Sequence, residues 1–213
     1  MNKRNYQKEM EKVLESFTGK AQEQKPKHLL LHSCCAPCSS YVLDYLSRYF
    51  RITVLYYNPN ITASVEYFKR VEEQKRLIDI LNQQENRYFI DCIEGDYRPA
   101  EFLEKTKGME ACPEGGERCF VCYRMRLEET ARLAKQSGAD YFTTTLTISP
   151  LKNAQKLNEI GEELAREYGT VWLPSDFKKR EGYKRSVELS NEYGLYRQDY
   201  CGCAYSKAER ERQ

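Results

Sequence analysis

Seven of the nine cysteines in this 213-residue chain fall into three tight groups. Cys34, Cys35 and Cys38 form CCAPC, Cys119 and Cys122 form CFVC, and Cys201 and Cys203 form CGC. Thiolates at these spacings support three kinds of chemistry. CAPC taken alone has the form of a redox dithiol. A pair such as Cys119/Cys122, completed by another pair, would make a tetrahedral structural zinc site. Four thiolates would also hold a four-iron cluster. Seven exceed the need of either metal site, so a cluster accompanied by a second metal or a redox-active thiol pair is implied. Cys92, in the strand-like FIDCIE, and Cys112, in a glycine-containing loop, stand apart and read as small packed hydrophobes. A disulfide framework fits poorly, because the count is odd and the N-terminus, MNKRNYQKEMEKVLESF, lacks the apolar core of a secretory signal. A cytoplasmic location, where thiols stay reduced, is expected.

The elements that must position these groups alternate between strand and helix patterns. Residues 1–27 read as a charged helical extension with a polar link. His28–Ser33 has strand length and apolar character, with CCAPCSS at its exit. Ser39–Phe50 has helical spacing, Arg51–Tyr57 is β-branched and aromatic, and NPN ends that strand as a turn. Ser64–Asn82 is a long charged helix, 87–93 a third strand, Pro99–Thr106 a short helix, and Arg118–Ser137 a helix stopped by Gly138. Asp140–Thr145 reads as a fourth strand, Lys152–Tyr168 as a helix stopped by Gly169, Val171–Leu173 as a short fifth strand, and Gly182–Tyr193 as a helix. Such alternation implies βαβ units in a mainly parallel sheet with both faces covered, and sites at the carboxyl ends of its strands.

Each group then has a local geometry. Pro37 biases Ala36 toward an extended conformation and suits a first helical turn, which places Cys38 near a helix N-terminus that favours thiolate. Cys119 and Cys122 share one helix face. Cys201 and Cys203, two apart in an extended stretch, point to one side, and Gly202 removes bulk between them.

Composition sets the outer limits. With 40% hydrophobic and 31% charged residues the chain has the profile of one globular domain, and no apolar run approaches the ~20 residues of a membrane span. A net charge of +2 neither demands nor forbids a polyanionic partner.

In order along the chain, LHSCCAPCS, YYNPNI, EYFKR, EGGERCFVCYRMRL, FTTTLTISPLKN and FKKREGYKRSVELSNEYGLYRQDYCGC resemble the QueH-type epoxyqueuosine reductases, over about residues 28–212. The resemblance implies a single α/β domain at 28–213, Rossmann-like (HUP-like), with a mainly parallel sheet flanked by helices and a cysteine-rich helical C-terminal part. It implies reduction of the epoxide of epoxyqueuosine at the wobble position of tRNA, with a [4Fe-4S] cluster and a second iron. By motif position the metal ligands would be Cys34, Cys35, Cys38, Cys119, Cys122, Cys201 and Cys203, with Cys38 standing where some family members carry Asp. The partners would be a tRNA bearing epoxyqueuosine and an electron donor, with no membrane. Related folds bind ATP through SGG-x-DS after the first strand; HSCCAPCSS lacks that glycine pair, so ATP binding is not expected. A thiol–disulfide oxidoreductase and a zinc-stabilised RNA-binding module are the competing readings.

Losing the epoxide oxygen takes two electrons and protons. Tyr123, Asp199 and Tyr200 neighbour the cysteines in sequence and are the candidate proton donors; His32, at the first strand's end, reads as structural, and Asp96 is a weaker candidate. For tRNA, the candidates are Lys152 in SPLKN and the basic Lys178, Lys179, Arg180, Lys184, Arg185 and Arg197, with KAERER beyond.

Overall fold

The computed structural model describes residues 4–18 and 25–212. Four parallel strands, β1 (Lys27–His32), β2 (Phe50–Tyr56), β3 (Ile90–Glu94) and β4 (Tyr141–Thr144), form one sheet in the order β3-β2-β1-β4. Their pairing register is set by apolar runs, with Leu29, Leu30 and Leu31 of β1 opposite Ile52, Thr53 and Val54 of β2. The helices are α1 (Tyr6–Thr18), α2 (Ala36–Leu46), α3 (Ser64–Asn82), α4 (Pro99–Lys105), α5 (Glu117–Ser137), α6 (Ala154–Tyr168), α7 (Gly182–Glu192) and α8 (Ala204–Arg210).

The pleat of β1 divides the core. Leu29 and Leu31 join one cluster with Met10, Leu14, Val42, Leu43, Leu77, Ile78 and Phe177. Leu30 faces the other way, among Leu127, Ala131, Leu157, Leu164 and Trp172. Alternate residues therefore feed opposite faces, as a sheet covered by helices on both sides requires. Helix α1 packs on the first face through the buried Met10 and Leu14, and Phe17 meets Phe50 edge-on at 5.3 Å. The remainder of the 1–27 extension, residues 1–3 and 19–24, lies outside the described residues.

The expected fifth strand is not a strand. Val171–Leu173 makes a single parallel bridge, Trp172 to Phe142, flanked by two 2.9 Å hydrogen bonds. Pro174 follows at once and has no N–H with which to extend the ladder. Trp172 instead packs flat on Gly161, where any Cβ would lie 2.3 Å from the indole, and donates from Nε1 to Asn158 Oδ1 at 3.0 Å.

In this strand order the direction in which successive strands are added reverses between β1 and β4. β1 leads through α2 to β2 on one side, whereas β4 lies on the other. The carboxyl ends of β1 and β4 thus flank the topological switch point, where open α/β sheets form their crevice.

Candidate metal centre

The first sulfur group lies at that point. Cys35 is extended (φ −175°, ψ 159°) and caps α2, which begins at Ala36. The extended residue is therefore Cys35 and not Ala36, because the first turn closes onto the Cys35 carbonyl, reached by Ser39 N at 3.0 Å. The Sγ atoms of Cys34, Cys35 and Cys38 all lie within 4.8 Å of one another, the one such set of metal donors among the described residues. Two neighbours hold the turn. Gln74 Oε1, from α3, accepts from Ser33 Oγ at 2.7 Å and Ser39 Oγ at 2.9 Å. Thr145, just past β4, accepts from Cys34 N at 3.2 Å and donates to Cys34 Sγ at 3.5 Å.

The other four cysteines surround a second crevice. Cys119 and Cys122 stand in the first turns of α5, and Cys203 caps α8, its sulfur accepting from Ser206 N at 3.3 Å. Cys201 and Cys203 bring their sulfurs to 3.4 Å. All four line one crevice with Asn60, Tyr123, Arg126 and Lys152. The CGC segment has no regular structure of its own and is held by other elements. Cys201 O accepts from Asn60 Nδ2 at 3.2 Å and from Arg70 Nη1 at 3.3 Å, and Gly202 O accepts from Thr62 N at 3.3 Å. Gly202 has φ +104°, and a Cβ there would lie 2.8 Å from Ile61. The NPN that reads as a plain turn is thus half of the anchor for the last two thiols.

A larger cavity, about 400 Å³, opens beside both groups and is lined by Cys34, Cys35, Cys38 and Cys201. Cys201, Arg126, Lys152 and Glu114 line both spaces. The seven thiols therefore do not converge on one point; they form three plus four, with Cys201 at the junction.

Charge is distributed unevenly within each group. Hydrogen bonds from the Cys35 and Cys38 thiols, then the Arg126 charge and the Thr145 hydroxyl, hold Cys34 well below the usual thiol range. Cys35 is pushed up to about 12, chiefly by its hydrogen bond to Cys34. Cys201 falls to about 5 through the Cys203 thiol, aided by the Lys152 charge, while Cys203 rises. In each group, then, one thiol is made more acidic by its neighbours' S–H groups. This donor set fits soft metal chemistry: sulfur throughout, four thiols around one crevice and three within mutual reach beside it.

The other expected residues divide by location. Asp199 and Tyr200 line the large cavity; Tyr123 lines only the sulfur crevice and is otherwise buried in the core. His32 is fully buried, within 2.8 Å of Thr144 Oγ1 and 3.1 Å of Tyr57 O, and burial and Arg126 push its pKa down to about 3, so it stays neutral. Asp96 pairs with Arg98 in an exposed position. Of the seven cations expected for tRNA, Lys152 and Arg197 line the cavity. Lys178, Lys179, Arg180, Lys184 and Arg185 do not. Four of these five are in ion pairs, with Asp176, Glu11, Glu181 and Glu188 respectively for Lys178, Arg180, Lys184 and Arg185. Cys92 and Cys112 border neither space. Asn60, Arg70, Arg126 and Thr145 escape a sequence reading because no spacing marks them; a single clue is that Arg126 follows Cys122 by one helical turn.

Among the described residues no helix is long and apolar enough to cross a membrane. The family model described as epoxyqueuosine reductase QueH matches residues 29–209. Similar proteins include the epoxyqueuosine reductases QueH of Staphylococcus epidermidis (42% identical, over 95% of this chain and 84% of that one) and of Streptococcus pyogenes serotype M1 (46%, over 84% and 69%). That of Thermotoga maritima is 35% identical, over 85% of this chain and 91% of its own. With the match spanning both sulfur groups and the sheet that positions them, this chain belongs to the QueH epoxyqueuosine reductase family, whose members are oxidoreductases.

Proposed function

We propose that this protein reduces the epoxide of epoxyqueuosine at the wobble position of a tRNA anticodon, with a [4Fe-4S] cluster and a second iron held by its seven motif cysteines. The supporting observation is that one cavity, of a size suited to a single modified base, has sulfurs of both groups in its wall. Conversion of an epoxide to an alkene consumes two electrons and two protons and releases water. When bound, the cluster would supply electrons singly and the second iron would serve as a Lewis acid toward oxygen.

The chain's own residues bind and protonate. Asp199 and Tyr200 line the cavity and are the proton sources in this reading. Lys152 is held charged there: burial opposes the charge, but Cys201, Tyr123 and Cys34 outweigh it and raise the pKa. Lys152, Arg197 and Arg210 all line the cavity, and none has an acidic partner among the described residues, unlike the paired cations around α7. Leu151 and Tyr183, 58% and 40% exposed, stand in the same lining and offer apolar area for a splayed base. An electron donor and a cytoplasmic setting complete the reading.

Purification without oxygen, followed by iron, sulfide and zinc analysis and an assay on a hairpin RNA bearing epoxyqueuosine with dithionite as reductant, tests it. Iron with sulfide and loss of the epoxide are expected. Zinc without sulfide after anaerobic reconstitution, or a colourless protein whose CAPC titrates as a dithiol, would defeat it.

A further inference from the structure

A cation stands between the two sulfur groups with no carboxylate in ion-pair contact among the described residues. Arg126, on α5 one turn beyond Cys122, is 3% exposed. Its Nη1 donates to Cys122 Sγ at 3.7 Å, its Nε to His32 Nε2 at 3.2 Å, and its Nη2 to Asn58 Oδ1. Other buried or nearly buried arginines find a carboxylate: Arg70 has Glu66 at 2.6 Å, Arg87 has Asp44 at 3.1 Å, and Arg118 has Glu209 at 3.8 Å. Arg126 has none among the described residues. A guanidinium does not shed its proton on burial, so its counter-charge must come from somewhere else. Neither an imidazole nor a carboxamide supplies negative charge in any protonation state, so His32 and Asn58 cannot compensate it, which leaves sulfur. Arg126 also lines both the large cavity and the sulfur crevice, so it faces both groups.

We infer that Arg126 is a positioning residue shared by the two sulfur groups: it fixes Cys122, compensates the charge of the metal-bound thiolates, and thereby sets the reduction potential of the iron they hold. This rests on the reading that the motif cysteines carry iron. Reduction adds negative charge, so a cation fixed against a ligand sulfur stabilises the reduced form and raises the potential. Asn58 directs the fork, since its Oδ1 takes Nη2 while its Nδ2 donates to Ser33 O at 2.8 Å, just before the first cysteine.

The test is a redox titration, followed by electron paramagnetic resonance, of anaerobically reconstituted wild type, Arg126→Gln, Arg126→Lys and Asn58→Ala. Arg126→Gln should shift the midpoint to more negative potential. Arg126→Lys, which keeps the charge and loses the fork, should fall between. Asn58→Ala should shift it in the same direction by less than Arg126→Gln, and carries the test if the Arg126 variants do not fold. In the assay, kcat should fall with KM for the RNA unchanged. An unchanged midpoint in every variant that folds and binds iron overturns the inference, as does a rise in KM alone, which would make Arg126 a substrate contact. Failure of the wild type to bind iron and sulfide would instead sink the proposed function.

Discussion

At the scale of single residues, the site separates thiols by what surrounds them. Cys119 and Cys201 face a crevice shared with two other cysteines, whereas Cys92 lies on edge strand β3, its pKa pushed up to about 11 by burial. Cys119→Ala and Cys201→Ala should each lose bound iron and sulfide after reconstitution and abolish epoxide reduction, while Cys92→Ala should match wild type in both measurements. Gly202 tests the anchor without touching a sulfur. A side chain there is strained at φ +104° and meets Ile61, so Gly202→Ala should cost about 1–3 kcal/mol in urea unfolding and lower iron occupancy.

At the scale of elements, the irregular C-terminal segment is tied to the regular helix α3. Arg70 holds the Cys201 carbonyl, Arg76 donates to the carbonyls of Tyr193 and Gly194 at 3.0 Å each, and Glu73 accepts from Tyr196 N at 2.6 Å. The Arg76 hydrogen bonds, helped by Tyr196 N and opposed by burial, hold the Glu73 carboxyl below its ordinary 4.5. A carboxyl whose pKa is lowered by folding adds stability above its unfolded value and loses it as pH falls through the folded one. Glu73→Gln should therefore be less stable than wild type by roughly 1 kcal/mol at pH 7, with the gap closing below about pH 4. Urea midpoints of both proteins across that range would show it.

At the scale of the whole molecule, the strand order places the sulfur groups. Cys34 leaves β1 and Thr145 leaves β4 at the reversal of the sheet, and α5 and the C-terminal segment bring the remaining thiols alongside. Helix α1 belongs to the same packing unit, so Leu14→Ala should destabilise the entire domain by about 2–5 kcal/mol in urea unfolding, although it is far from any cysteine in sequence. On the proposed function, the cavity's cations, unpaired among the described residues, should make RNA binding salt-sensitive. Arg197→Ala should weaken binding of the hairpin RNA and reduce the log–log salt slope by about 0.7–0.9, whereas Lys184→Ala, already paired with Glu181, should leave the slope unchanged. Fluorescence anisotropy at several salt concentrations distinguishes the two.

Local order was enough for the sequence to determine the alternation of strands and helices, the thiol groups at 34–38, 119–122 and 201–203, and the isolation of Cys92, because spacing and periodicity act over a few residues. It was also enough to tie the chain to its family through motifs in fixed order. Tertiary structure alone decided that the thiols divide three and four with Cys201 between them, that Asn60 and Arg70 carry the last pair, and that Arg126 stands between the groups. It also decided that most of the basic C-terminal residues lie away from the cavity. The reason is physical: a partner's charge or hydrogen bond depends on distance through space, and residues 68 to 141 positions apart carry no periodic trace of meeting.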